Sequence, residues 1–86
     1  MGLNVELDDL QKKIYAFVEA AKGKKKLKEK DIINGVNAET GIEKDQVKKS
    51  MRSMIDVGVL MYSYGGGASS VEIPSDEYLR EKGLIQ

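Results

Sequence analysis

Leu10, Ile14, Phe17, Val18 and Ala21 recur at the three- and four-residue spacing of one helix face, which predicts a first helix over 8–21. Asp8 and Asp9 stand at its start, where carboxylates complement exposed amides, and Gly23 after Lys22 is the expected stop. Tyr15 falls on the shoulder of this stripe, where core and surface are both open to it. Ile32, Ile33 and Val36 predict a second helix over 29–37, with residues 37–41 as its exit turn. Val47, Met51, Met54 and Ile55 make the clearest stripe, on a helix over 43–57. Gly58 then takes the place where a helix commonly ends in a left-handed residue.

The period changes after Gly58. Residues 59–64 (VLMYSY) are rich in β-formers, residues 65–70 (GGGASS) read as a loose tip, and residues 71–73 return as a second strand. Pro74 ends that strand because it has no N–H to donate. Ser75 caps a last helix with Asp76 and Glu77 in its first turn, Tyr78 and Leu79 inward, Lys82 in the last turn and Gly83 closing it. Leu27 is the sole apolar anchor of the run KGKKKLKEK, where a few extended residues are expected to join the hairpin as a third strand. A helix pair with glycine in its turn, followed directly by a hairpin, predicts an α+β winged helix-turn-helix. It comprises three helices, a small antiparallel β-hairpin wing and a short C-terminal helix, as one domain over 1–86.

Composition narrows the chemistry. The 86 residues contain no cysteine and no histidine, which excludes disulfides, thiolate chemistry, imidazole metal sites and histidine general bases. The carboxylates fall at helix starts or in expected ion pairs. The glycine run 65–67 lacks the lysine and following helix of a phosphate loop. A non-enzyme is expected, with no cofactor, no metal and no small-molecule substrate. No apolar run reaches bilayer-spanning length, and the first residues carry neither a signal region nor a myristoylation motif. A soluble cytoplasmic protein, monomer or homodimer, is the expectation.

Net charge is zero, yet residues 22–52 hold ten Lys/Arg against five acids, while the remainder holds four against nine. A basic middle of this kind can present one positive face. On the third helix the wheel turns Asp45, Lys49, Arg52, Ser53 and Asp56 outward, flanked by Gln46 and Lys48. If this helix enters a DNA major groove, Arg52 and Gln46 are candidate base readers, and Lys48 and Lys49 candidate phosphate contacts. The competing reading is a solvated face with i,i+4 ion pairs Asp45–Lys49 and Arg52–Asp56. Lys24, Lys25 and Lys26 are candidates for sequence-independent phosphate contact. The tip itself carries no positive charge, which argues against a minor-groove probe.

Tyr62 and Tyr64 share a strand face with Leu60. Both pack if Leu60 points inward, which is the expectation. If instead Val59 and Met61 are inward, the tyrosines form an exposed aromatic patch beside Gly65, Gly66 and Gly67, suited to a protein partner.

Residues 46–73 carry VKK at 47–49, an apolar helix ending at Ile55, V-L-x-Tyr at 59–62, a small Gly/Ser turn around Gly66 and a return strand. This segment, 28 of the 86 residues, resembles the small D-protein family of dissimilatory sulfite reductase operons. The glycine-rich wing and the Val57-Gly58 helix end depart from that pattern. The resemblance implies a non-catalytic winged-helix protein associated with sulfite reduction, acting either on nucleic acid or by binding and modulating the reductase.

Overall fold

A computed structural model describes residues 6–22, 24–65 and 68–85. Its elements run α1 (Asp9–Ala21), α2 (Glu29–Thr40), α3 (Lys44–Val57), β1 (Met61–Gly65), β2 (Ala68–Glu72) and α4 (Asp76–Glu81). Three helices, a two-stranded antiparallel hairpin and a short last helix make an α+β, winged-helix-like fold.

The helix ends follow from side chains within reach of the backbone. Asp8 caps α1 by accepting from the Gln11 N–H at 2.8 Å, and the Gln11 side chain accepts in return from the Asp8 N–H at 3.1 Å. The expected stop at Gly23 lies outside the described residues. Helix α2 is longer than its apolar stripe suggests: residues 38–40, expected in a turn, stay helical, and Gly41 takes the left-handed conformation at φ 76°. Thr40 Oγ1 donates to the Val36 carbonyl at 2.7 Å, and Asn37 Nδ2 donates to the Ile42 carbonyl at 2.7 Å. These polar residues fasten the helix end instead of breaking it. Gly58, at φ 106°, closes α3 as expected.

Ile14 and Val18 of α1, Ile32 and Val36 of α2, and Val47, Met51 and Met54 of α3 meet in one core with Leu27, Val71 and Leu79. Burying a side chain of this size contributes roughly 1.5–3 kcal/mol. Ile55, expected inward, is only partly buried at the margin, as is Tyr15.

The hairpin departs from expectation in three places. Val59 and Leu60 are both buried, and their N–H groups both turn back to the Met54 carbonyl, at 3.1 and 3.4 Å. They belong to the helix exit, so strand alternation begins only at Met61. The pairing runs from Met61↔Glu72 to Gly65↔Ala68, so Ala68, Ser69 and Ser70 are strand residues and not part of a six-residue tip. The expected third strand contracts to a single bridge, with the Val71 N–H donating to the Leu27 carbonyl at 2.7 Å. Just before it, the Lys24 and Lys25 N–H groups both bond the Ala21 carbonyl, which bends the chain where an extended run was expected.

At the end of the chain, Ser75 Oγ accepts from the Tyr78 N–H at 3.3 Å, and Leu79 is buried. Tyr78, expected inward, is half-buried. Lys82 lies just past the helix with Nζ 5.6 Å from the Tyr78 ring centroid, leaving Arg80 as the basic residue of the last turn.

Candidate interaction faces

Helix α3 buries its apolar stripe and turns Asp45, Gln46, Lys48, Lys49, Arg52, Ser53 and Asp56 to solvent, as the wheel requires. Neither i,i+4 ion pair forms among the described residues. Arg52 Nε instead lies 3.7 Å from Oε2 of Glu29, the first residue of α2. A carboxylate at that position also faces the exposed amides of the helix start. Glu29 Oε2 is buried and makes no hydrogen bond of good geometry among the described residues; the Arg52 guanidinium and the Tyr62 hydroxyl are the groups that face this carboxylate.

Tyr62 completes this cluster from β1. Its burial, followed by the neighbouring Glu29 carboxylate, pushes the phenol above its ordinary value, and Arg52 opposes the shift. Arg52 was a candidate base reader, and here its charge is already partnered. Glu29 carries no local signal of this role: its partner is 23 positions along the chain, and only the crossing of α2 over α3 brings them together.

The two tyrosines divide. Tyr62 is half-buried and packs on the core, whereas Tyr64 is 80% exposed, against the expectation that both would pack. Their rings remain neighbours, with centroids 6.2 Å apart and planes inclined by 35°. The strand carries one face, but its outer end projects beyond the core. Gly65 ends β1 opposite Ala68; Gly66 and Gly67 lie outside the described residues.

Lys24, Lys25 and Lys26 lie elsewhere. With Lys22 they edge a groove of about 540 Å³ between the end of α1, Leu27 and β2, and no α3 residue lines it. Leu27 pairs antiparallel with Val71, so the lysines before it run alongside Glu72 and Ile73, away from the hairpin tip. The lysines at 22–26 therefore line a groove to which the α3 cations Lys48, Lys49 and Arg52 do not contribute.

Among the described residues, no three acidic side chains gather into a metal-binding group, and no helix is long and apolar enough to cross a membrane. Fold and faces together define a small winged-helix-like protein with solvent-facing α3 and tyrosine surfaces. No known family model matches the chain, and no curated protein matches it.

Proposed function

We propose that this chain is a non-catalytic winged-helix accessory protein that docks onto a partner protein through the β1 face. Tyr64 is its central contact, with Tyr62 beside it and Gly65, Gly66 and Gly67 letting the partner's backbone approach. The observation that carries this reading is the 80% exposure of Tyr64, whose ring lies 6.2 Å from that of half-buried Tyr62. Tyrosine offers large contact area at low entropic cost and is enriched at interface centres. The resemblance of residues 46–73 to the sulfite reductase D proteins supports dissimilatory sulfite reductase as the partner, with modulation of that enzyme as the role.

The test is co-purification of the tagged chain with the reductase, comparing Tyr64→Ala with the unaltered protein. Loss of the complex with an unchanged circular dichroism spectrum is expected. A complex that survives the substitution removes this patch from the account.

A second reading, DNA binding through Gln46, Lys48, Lys49 and Arg52, is favoured by the exposure of all four on α3. Against it stand Asp45 and Asp56 on the same face, Arg52 held by Glu29, and hairpin residues 61–72 without a cation. Anisotropy of a labelled random duplex at low salt separates the two readings. Binding that falls steeply with salt supports DNA, and its absence where attraction is strongest supports the protein partner.

A further inference from the structure

We propose that the lysine-edged groove between α1 and β2 is a docking site for an extended acidic peptide segment of a partner protein, with apolar side chains at alternate positions. The groove shares no residue with the Tyr62–Tyr64 patch or with α3, so this inference stands apart from the function proposed above.

The chemistry of the groove is two-part. Its lining is mostly apolar, with Val18, Ala21, Leu27 and Ile73 beside the polar Ser70 and Ser75, and four lysines and one acid, Glu72, complete it. A second, more apolar depression of about 330 Å³ shares Ala21, Lys24, Lys25 and Leu27 with the first, and adds Phe17 and Ala20. Two apolar hollows under the same lysines match two apolar side chains on the inward face of the segment, with the long lysine side chains at the rim reaching past its edges to the carboxylates on its outward face. In an extended segment, alternate side chains fall on one face about 6.5–7 Å apart. The lysine backbones are already placed, since the Lys24 and Lys25 N–H groups hold the Ala21 carbonyl at 2.9 and 3.1 Å. Less ordering is then left for binding to impose.

Charge complementarity selects an acidic occupant, and the apolar lining selects a peptide over a nucleic acid. A phosphodiester backbone supplies charge but no apolar side chain for Val18, Leu27 and Ile73.

Fluorescence anisotropy tests the proposal with a labelled peptide of about eight residues alternating Glu and Leu, which spans ~26 Å as a strand. Two control peptides replace every Glu by Lys or every Leu by Ser. The Glu/Leu peptide is expected to bind and each control to bind at least about tenfold more weakly. Converting the three exposed lysines together (Lys24→Glu, Lys25→Glu, Lys26→Glu) should weaken the Glu/Leu peptide by about tenfold or more and create binding to the Lys/Leu peptide. Absent binding, equal binding of the Glu/Ser peptide, or unchanged affinity in the triple variant would overturn the assignment.

Discussion

Arg52 of α3 directs its guanidinium at Glu29, the first residue of α2, with Nε 3.7 Å from Oε2. The side chains are 56% and 33% exposed, so water screens the pair and its coupling should be modest, about 0.5 kcal/mol in a double-mutant cycle of Glu29→Ala and Arg52→Ala. Urea denaturation of the four proteins measures it. The same substitution interrogates α3. Glu29→Ala releases Arg52 and removes a negative charge beside it, so any duplex DNA bound at α3 should bind about two- to fivefold more tightly. Unchanged duplex affinity takes Arg52 out of the contact.

Gly35 of α2 faces Phe17 of α1 so closely that a methyl group placed there would overlap the ring tip at Cζ and Cε2. Alanine ordinarily adds about 1 kcal/mol over glycine inside a helix. Overpacking costs roughly 1–3 kcal/mol, and the half-buried ring can relieve it only by giving up its own packing. Gly35→Ala should therefore fail to stabilise the protein, whereas in a Phe17→Ala background it should add about 0.5–1 kcal/mol. Thermal melts of the four proteins decide this, and a stabilising Gly35→Ala in the unaltered chain would contradict the close approach.

Alkaline stability should carry the mark of Tyr62. Its folded-state pKa lies above the ordinary tyrosine value of about 10, from burial first and the Glu29 carboxylate second. Below that value the phenol is neutral whether the chain is folded or not, and no stability depends on it. As pH rises beyond it, the unfolded chain loses the proton first, binds fewer protons than the native one, and stability falls. Tyr62→Phe should flatten the decline of the urea midpoint between about pH 9 and 11. An identical slope in both proteins would place the shifted phenol elsewhere. Tyr15 is raised too, by burial and then by Glu19 and Asp76, so Tyr15→Phe should act in the same direction.

Exposure predicts opposite outcomes for two positions thirteen residues apart. Tyr64→Ser, at a residue 80% exposed, should change unfolding free energy by no more than about 0.5 kcal/mol. Met51→Ala, at a residue with no exposed surface, should cost about 2–5 kcal/mol. Chemical denaturation of the two variants provides the comparison. A large loss at Tyr64 would mean that the ring is structural and would weaken its role as a free contact.

The amino-acid order alone determined the helices, the hairpin and their succession. Apolar spacing along α1 and α3 names the buried stripes, Gly58 marks its own stop, and Ser75 its own cap; each signal lies within about one turn of the residue it governs. The far end of α2 was less legible. Asn37 and Thr40 are equally at home in turns and at helix ends, and their bonds to the Ile42 and Val36 carbonyls decide between the two. Alternation placed Tyr62 and Tyr64 on one face of the strand, but could not show that the core reaches Tyr62 and not Tyr64.

Only the tertiary structure decided which surfaces these elements share. The crossing of α2 and α3 joins Glu29 to Arg52 in place of the two ion pairs that α3 could form within itself. The antiparallel bridge from Leu27 to Val71 carries Lys24, Lys25 and Lys26 to the groove beside β2, away from the outward face of α3. The reach of the hairpin beyond the core separates Tyr64 from Tyr62. Period and capping are local properties of the chain, whereas a shared surface depends on contacts between residues far apart in sequence, which exist only once the helices have packed.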